Sequence, residues 1–439
     1  MEKTRRRILD IVFRSEIEQN DTASGGDAGD RHQTKTGTNG KSNLRESAAL
    51  ATIPLVLVLG NSMLIPILPQ MQRELNISQF QSSLTISLFS IAAGIFIPIL
   101  GYLSDRFSRK AIIIPSLIVY GGAGILAGFG AIWESYWVVI SARALQGLGA
   151  AGTSPIAMAL IGDLYKGGEE SRTLGLIEAS NGFGKVVSPI IGSLLALLIW
   201  YAAFFAFPVF CGLSLLAVIF LIKEPKRKEE PKKLNRYLRT IGRIMKQKGR
   251  WLITSFFAGS LGLFILFGAL FYLSQILEEK PYQIDGVIKG LVLAIPLMGL
   301  VATSYTTGAV IKKNGVLMRW LMNIGLVLMT VSLALAIFLY DHIYVLIGLL
   351  TMSSIGTGLL LPCLNTMITG SVSRSERGMI TSLYSSLRFF GVAFGPPLFS
   401  RMMDISDELV FISVSVLSFI TLGLVFFLIK PDRRLSEAG

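Results

Sequence analysis

The chain has 439 residues, of which 52% are hydrophobic and only 16% are charged. Soluble domains usually carry about 25% charged residues, so this composition excludes an ordinary soluble domain and indicates a polytopic membrane protein. The net charge of +13 would suggest a nucleic-acid ligand in a soluble protein, but here the bases stand between apolar runs, where they indicate membrane orientation.

The first 47 residues differ from the rest of the chain. Residues 20–43 are rich in Gly, Ser, Thr, Asn and Asp and contain almost no apolar side chain, which is typical of disorder. The stretch 1–18 could form a short basic helix, but it lacks the apolar core of a secretion signal. We predict a disordered cytoplasmic tail over residues 1–47 and assign it no function.

Twelve apolar runs follow, each long enough for a helix that crosses about 30 Å of hydrocarbon. Their predicted limits are residues 48–69, 80–101, 111–131, 136–162, 174–198, 200–222, 251–277, 287–311, 317–339, 343–369, 379–399 and 409–429. The connections between spans around residues 199, 280–283 and 341 are short, so the span limits there could be placed differently. The sequence thus predicts an all-α polytopic membrane protein with twelve transmembrane helices, numbered below as spans 1 to 12.

Positive charge is concentrated in the joints that follow the even-numbered spans. These joints contain Arg106, Arg109, Lys110, Lys166, Arg172, Lys312, Lys313, Arg319, Arg374 and Arg377. The opposite joints contain only Arg73, Lys280 and Arg401, with Lys289 just inside its helix. Because short cytoplasmic loops carry an excess of Lys and Arg, both termini are predicted to be cytoplasmic.

A basic segment at residues 223–250 divides the chain. It contains twelve Lys or Arg and three Glu, and it separates a six-helix bundle at 48–222 from a second one at 251–430, before a cytoplasmic tail at 431–439. Within it, Leu234, Leu238, Ile241 and Met245 recur at helical spacing opposite basic residues. This pattern predicts a basic amphipathic helix on the inner membrane surface; a positive loop with no further task is the plainer alternative.

The two halves carry matching features. Residues 101–110, GYLSDRFSRK, follow span 2, and a glycine with a later basic pair, Gly308 and Lys312–Lys313, stands after span 8. Pro189 in span 5 corresponds to Pro396 in span 11. Paired positions in two six-span halves predict two pseudo-symmetric bundles of a duplicated transporter fold, with the substrate path between them. A channel or a membrane enzyme fits this pattern less well.

Three motifs resemble those of the major facilitator superfamily. The segment 101–110 resembles its loop signature, and Arg143, Gln146, Gly147 and Gly149 resemble the basic motif of its proton-driven members. Residues 184–192 are similar to the span-five motif of the twelve-span drug:proton antiporters, although Ser188 replaces a glycine and Lys185 interrupts the apolar pattern. The resemblance covers about residues 48 to 430.

The resemblance implies roles for these residues. The gating loop comprises Gly101, Asp105, Arg106, Arg109 and Lys110, in which Asp105 and Arg109 help to hold the outward-open form; a solvated turn is the alternative. Arg143 belongs to the proton-coupling machinery and tunes a nearby carboxylate, unless it forms a structural salt bridge. Gly184, Pro189 and Gly192 serve packing in the antiporter motif.

Span 5 carries an unusual polar stripe. Glu178, Asn181 and Lys185 lie on one helical face, and Lys185 is near the middle of its span, so it must face an aqueous cavity or a partner. Glu178 is the carboxylate most clearly inside a span and is our predicted protonatable site; pairing with Arg172 or Lys166 at a helix end is the alternative.

The predicted substrate cavity is electropositive. Its candidate residues are Asn61, Gln146, Asn181, Lys185, Asn365 and Arg388. Lys185 and Arg388 place two cations at mid-depth, one in each half, so we expect anionic or acidic aromatic cargo such as a secreted metabolite or siderophore. Structural pairing of both bases is the alternative.

No metal, nucleotide or nucleophile constellation appears in the sequence, so we predict no catalytic residue, no metal and no cofactor, and the protein is not expected to be an enzyme. Cys211 and Cys363 fall inside apolar spans, so no disulfide is expected. The expected partners are a small-molecule substrate, protons and membrane lipids, without nucleic acid, and the protein is expected to be a monomer.

These features predict a secondary active exporter in a bacterial cytoplasmic membrane, in which two bundles rock and inward proton movement drives efflux of a small amphipathic drug or metabolite. A dedicated exporter of an endogenous anionic metabolite, such as a siderophore, shares that mechanism and is the first alternative. A lipid flippase is the second, and nutrient uptake is disfavoured by the span-five motif.

Overall fold

The computed structural model describes residues 39–165, 168–224, 234–311, 314–370 and 377–430. Regular structure over these residues is helical and confirms the predicted helices, with both cysteines free and buried. The predicted tails at 1–38 and 431–439 lie outside the described residues, as do four bases of the predicted cytoplasmic joints, Lys166, Lys312, Lys313 and Arg374. The orientation of the termini therefore stays a prediction.

The twelve spans have the following limits. Span 1 is Asn39–Ser62 continued by the turn Ile65–Ile67 and by Leu68–Leu75; span 2 is Gln79–Arg106; span 3 is Arg109–Ile132; span 4 is Tyr136–Ala151 with Ser154–Leu164; span 5 is Gly168–Ala196; span 6 is Ala202–Leu221; span 7 is Leu234–Glu278; span 8 is Gly286–Ile311; span 9 is Gly315–Leu339; span 10 is Ile343–Gly370; span 11 is Arg377–Met403; span 12 is Asp407–Leu428.

Span 1 begins earlier than predicted. The helix starts at Asn39, so residues 39–47, which we assigned to the tail, are helical. Polar side chains there find partners on other spans: the Glu46 carboxylate accepts from the Tyr165 hydroxyl at 3.1 Å, and the Ser47 hydroxyl lies 3.2 Å from that of Thr173. These long-range partners are invisible in a local sequence pattern.

The basic amphipathic segment is helical, as its spacing predicts, but it is the first part of span 7 and not a separate helix. Tyr237 and Ile244 on this segment are buried. The Tyr237 ring packs edge-on against Tyr102 of span 2, with the centroids 5.2 Å apart. One face of the segment therefore packs against the protein, while its binding to a membrane surface stays a prediction.

Ten of the described helices are long and apolar enough to cross a membrane. Spans 5 and 11 are not among them, because serines, an asparagine and a mid-helix cation lower their hydropathy. The two spans occupy corresponding places in the halves. The two described spans that fall short of this hydropathy are thus a repeat-related pair, as expected for helices that line an aqueous path.

Each half repeats the same helix neighbours with a shift of six spans. Spans 3 and 4, 2 and 4, and 3 and 6 pack together in the first half, as do spans 9 and 10, 8 and 10, and 9 and 12 in the second. The halves meet where span 2 packs on span 11 and span 5 packs on span 8, here called the 2/11 seam and the 5/8 seam. Because the shift by six converts one seam into the other, the two bundles are pseudo-symmetric.

The 5/8 seam is tight at one end and open at the other. A methyl group added to Gly290 would lie 2.6 Å from Ser193 Oγ, and one added to Gly182 would lie 2.8 Å from Val301 Cγ1. The same antiparallel register brings Gly175 opposite Gly308 two turns further along, yet a methyl group on either would meet nothing within 4 Å. The spans separate toward the end that carries the 101–110 loop, called the inner end below; the opposite end is the outer end.

Candidate transport site

Arg143 is the centre of a polar cluster in the first half, and its side chain is fully buried. The guanidinium donates to the Thr85 carbonyl oxygen at 2.9 Å, to the Gly60 carbonyl oxygen at 3.1 Å, to Asn61 Oδ1 at 3.2 Å and to Gln146 Oε1. One side chain on span 4 thereby ties spans 1 and 2 to its own helix. Gly147 of the same motif allows this approach, because a methyl group there would overlap the Phe89 carbonyl of span 2.

The cluster stabilises the buried positive charge of Arg143 through carbonyl and amide oxygens, without an ion pair to a carboxylate among the described residues. A buried guanidinium costs several kcal/mol unless it is paired or fully hydrogen-bonded. Here the carbonyl and amide oxygens oppose that cost, together with the Phe89 ring, whose centroid is 4.4 Å from Arg143 Cζ. None of the ion pairs between described residues includes Arg143. The Nε2 amide of Gln146 is buried without a hydrogen-bond partner.

Glu178 lies apart from this cluster. Its side chain is exposed on the inner half of span 5, and the field of its carboxylate acts on Lys185. The structure therefore does not bring the two predicted proton-coupling residues into contact, and their shared role stays a prediction. The alternative, in which Glu178 pairs with Arg172 or Lys166, stays open, because Lys166 and the Arg172 side chain lie outside the described residues.

Lys185 of span 5 and Arg388 of span 11 belong to different halves, and they are close enough for their charges to interact. Both are half-buried, and neither joins an ion pair among the described residues. The guanidinium of Arg388 lies over the Tyr384 ring with Cζ 5.4 Å from the centroid, and its Nε has no hydrogen-bond partner although it is buried. The Tyr384 hydroxyl is likewise buried and unpartnered. Two like charges and a free hydroxyl thus stand where an anionic group could bind.

The other predicted cavity residues are less tightly defined. Asn61 belongs to the Arg143 cluster, where its amide also donates to the Ser90 hydroxyl at 3.2 Å. Asn181 of span 5 and Asn365 of span 10 are half-buried. The cavity candidates therefore divide into the hydrogen-bonded Arg143 cluster in the first half and a pair of cations from the two halves.

The loop at the inner end is an ion-pair network. Arg109 Nη1 lies 2.7 Å from Asp105 Oδ1, and Arg109 Nε lies 3.0 Å from Asp163 Oδ2 at the end of span 4. The same guanidinium donates to the Ser104 hydroxyl at 2.7 Å. Arg109 is largely buried, so these bonds connect the inner ends of spans 2, 3 and 4 into one unit.

Glu224 completes the network from the end of span 6. Its carboxylate accepts from the backbone amides of Arg109 and Lys110 at 2.7 and 3.0 Å, where a negative charge offsets the helix dipole of span 3. The Lys110 ammonium in turn donates to the Ile222 carbonyl at 2.8 Å. Arg106 is exposed beside the Phe107 ring. Hydrogen bonds and ion pairs thereby connect the inner ends of spans 2, 3, 4 and 6.

The turn itself is shorter than predicted. Spans 2 and 3 are helical to Arg106 and from Arg109, which leaves only Phe107 and Ser108 between them. The Ser108 hydroxyl caps span 3 by accepting from the Ala111 amide. Gly101 lies within span 2, where an added methyl group would be 3.0 Å from Ser382 Oγ of span 11. Gly101 thus belongs to the 2/11 seam.

The glycines of the span-five motif pack against span 1. A methyl group on Gly184 would lie 2.8 Å from Leu55 Cδ1, and one on Gly192 would overlap the Met63 carbonyl oxygen. Pro189 is buried between them. This contact fixes the rotation of span 5 about its axis and so the direction in which its polar stripe points.

Sequence reasoning missed several contributors to these sites. Asp163 and Glu224 complete the loop network, and Tyr384 faces Arg388. Asp163 carried a weak signal as an acid at the inner end of a span, but neither Glu224 nor Tyr384 stood out in the sequence. The partners of Asp163 and Glu224 come from other helices, which no local motif reveals, whereas Tyr384 lies one turn from Arg388 on the same span.

Comparison with known proteins agrees with this architecture. The family model described as Major Facilitator Superfamily matches residues 50–318 and 280–439. The chain is 43% identical over 398 residues to the Bacillibactin exporter of Bacillus subtilis (strain 168), which covers 90% of this chain and 98% of that protein. It is 28% identical over 289 residues to the Tetracycline resistance protein, class C, of Escherichia coli, covering 63% and 69% of the two chains.

A solved structure shares the fold. The D-xylose-proton symporter superimposes with a TM-score of 0.72 at 13% identity, over 89% of this chain and 99% of that one. At such low identity only the fold is shared. With the family match extending over both halves, the chain belongs to the major facilitator superfamily, a family of membrane transporters.

Proposed function

We propose that this protein exports an endogenous anionic metabolite, such as a siderophore, across a bacterial cytoplasmic membrane in exchange for protons. The observation that carries the proposal is the pair of cations Lys185 and Arg388, one from each half and both without an ion-pair partner among the described residues. A small-molecule anion between them would relieve their mutual repulsion and satisfy the buried Arg388 Nε.

The carboxylates of the described spans are poorly placed for a cationic cargo. Glu178 is exposed, and Asp163 and Glu278 lie at span ends in ion pairs. A cationic drug would meet two positive charges at mid-depth, neither of which is ion-paired with a carboxylate among the described residues. The name of the 43%-identical relative, which includes the exported compound bacillibactin, supports export of a metabolite over general drug efflux.

Glu178 provides the proton link in this proposal. Its carboxylate stabilises the Lys185 charge while the cavity is empty, because both residues lie on one face of span 5. Cargo binding replaces this stabilisation and leaves Glu178 free to exchange a proton with water. Arg143 acts as a fixed positive charge that keeps the cluster of spans 1, 2 and 4 rigid during the exchange.

Transport by purified protein in liposomes tests the choice of cargo. The probes are bacillibactin, the anionic dye fluorescein and the cationic dye ethidium, with an imposed pH gradient. We expect Lys185→Gln to lower the initial rates for bacillibactin and fluorescein about tenfold, the loss of roughly 1.4 kcal/mol of binding, while ethidium changes less than about twofold. Lys185→Glu should make ethidium the preferred dye.

The matched control is Lys246→Gln, which removes an exposed lysine from the inner extension of span 7 and should leave all three rates unchanged. Equal losses for all three probes in Lys185→Gln would contradict the anionic site. Movement of a fluorescent phospholipid without movement of any dye would favour the flippase alternative instead.

The proton link is tested in the same liposomes. Glu178→Gln should still bind and exchange cargo, but its rate should no longer respond to the pH gradient, since the exchangeable proton is lost. A variant that keeps the full response to the gradient would show that Glu178 is not the coupling residue.

A further inference from the structure

The outer ends of spans 1, 7 and 8 carry a three-charge cluster that belongs to neither the cavity nor the inner loop. Arg73 Nη1 lies 2.5 Å from Glu278 Oε2, and Lys289 Nζ lies 2.8 Å from Glu278 Oε1. The Lys289 ammonium also donates to the Pro66 carbonyl oxygen at 2.8 Å. One carboxylate thus serves two cations, with a different oxygen for each.

The cluster crosses the boundary between the halves. Arg73 and Pro66 belong to the first half, while Glu278 and Lys289 belong to the second. Just below, the Ser274 hydroxyl of span 7 donates to the Ile65 carbonyl of span 1 at 2.8 Å. These bonds lie at the end where the 5/8 seam is tight, so they hold the halves together at the closed mouth.

The two ion pairs of Glu278 differ in what they connect. The bond to Lys289 joins spans 7 and 8 of the same half, and it survives any rigid movement of that half. The bond to Arg73 joins the two halves and must break when their outer ends part. Lys289 has 1% of its side chain exposed and Glu278 has 12%, whereas Arg73 has 62% exposed. The inner pair is therefore shielded from water, and the cross-half pair is the one that water can reach.

We propose that Glu278 is the positioning residue of the outer gate, with its Lys289 bond permanent and its Arg73 bond made only when the gate is closed. In this arrangement Lys289 holds the carboxylate at the surface of its own half, ready for Arg73 each time the halves meet. The Pro66 carbonyl accepts a hydrogen bond from the Lys289 ammonium in the closed state, and this bond breaks on opening. The bond between Arg73 and Glu278 thereby sets how often the transporter opens outward. The direction named outward rests on the proposed orientation of the termini.

Arg73→Gln is the decisive variant, because it removes the cross-half ion pair and leaves the buried Lys289–Glu278 pair intact. Glu278→Gln would strand a buried lysine and could fail to fold. The reporter is Ser274→Cys, a buried position directly beneath the cluster. Every variant is compared with the reporter chain alone, so the loss of the Ser274 hydroxyl bond to Ile65 is common to all of them. Its rate of labelling by a membrane-impermeant thiol reagent, applied to intact cells, measures outer opening, and the native cysteines are both buried.

We expect Arg73→Gln to raise the labelling rate about fivefold, as loss of one charge-assisted hydrogen bond implies. Arg73→Lys should restore the original rate, which a mere packing role of the arginine would not explain. The matched control is Asp404→Asn, which breaks an exposed outer ion pair with Arg401, three residues earlier in the same half, at 3.7 Å; its labelling rate should not change.

An unchanged rate in Arg73→Gln would overturn the proposal, as would an equal rise in Asp404→Asn. Labelling of inside-out vesicles is measured in parallel. A rise seen only there would show that the cluster closes the cytoplasmic mouth, which contradicts the proposed orientation but not the role of the ion pair. Loss of anion selectivity in the dye assay is a separate result, so failure of the gate and failure of the proposed cargo remain distinguishable.

Discussion

The 2/11 seam and the 5/8 seam correspond in the repeat but differ in shape. The 2/11 seam is in contact along its length: at the outer end Arg401 lies over the Phe80 ring with Cζ 4.2 Å from the centroid, and at the inner end Gly101 approaches Ser382. The 5/8 seam is closed only from its outer end to the middle. The two halves share the same duplicated plan. Spans 2 and 11 nevertheless form a continuous contact, whereas spans 5 and 8 leave an opening at the inner end, called the mouth below.

In our proposal, this difference sets where cargo enters. Glu178 and Lys185 both lie on span 5, next to the mouth, and Arg388 lies across from them on span 11. The 2/11 seam is instead in contact at both ends. A movement that closes the mouth at 5/8 while opening the outer end needs the 2/11 contact as its pivot, since that contact extends through both ends.

Alanine at Gly290 should disturb the 5/8 seam most. Its methyl group would lie 2.6 Å from Ser193 Oγ and 2.8 Å from the Pro189 carbonyl oxygen, and the backbone atom cannot move aside. Overpacking of this kind costs about 1–3 kcal/mol, so the outer-closed state should become about tenfold less populated. The labelling rate of Ser274→Cys in the same chain should rise accordingly; a rate equal to that of the parent would mean that the outer end does not depend on this contact.

Alanine at Gly94 should have a smaller effect, on the 2/11 seam. The added methyl group would be 3.2 Å from the Ser386 carbonyl oxygen and 3.4 Å from the Phe390 ring, distances that a shift of a few tenths of an ångström relieves. We expect transport to fall by no more than about threefold, with no change in Ser274→Cys labelling, because the pivot is strained equally in both states. A rise in labelling like that of Gly290→Ala would show that this seam also opens.

Alanine at Gly308 should have the smallest effect and is the control for both. A methyl group there meets nothing within 4 Å, while all three substitutions gain a similar helix propensity of about 1 kcal/mol. The melting temperature of the Gly308→Ala variant in detergent should equal or slightly exceed that of the parent protein. A clear loss of stability would mean that the inner end of the 5/8 seam is closed in the purified protein.

The fold was largely predictable from the sequence, because apolar runs of membrane length and charges in short joints are strong local signals. The helix count, the duplication and the depth of Arg143 within span 4 all followed from such patterns. The start of span 1 did not, because Glu46 and Ser47 are polar and become helical through partners on spans 4 and 5 and beyond span 6.

The sites were predictable only in part. Asp105 and Arg109 are four residues apart, so their pairing was accessible from the sequence, while Arg73 and Glu278 are 205 residues apart and meet only through the packing of two halves. The bonds of Arg143 to the carbonyls of Thr85 and Gly60 could not be predicted either, since backbone oxygens carry no sequence signal.

The central claim is that the halves pivot so that the inner and outer mouths open in alternation. Spin labels at positions 175 and 308 report the inner mouth, where the glycines have free space, and labels at the exposed Leu197 and Ile288 report the outer end. Distances are measured in liposomes with and without cargo and a pH gradient. The account predicts that the inner distance shortens in the same population in which the outer distance lengthens; two distances that stay fixed, or that change in the same direction, would contradict it.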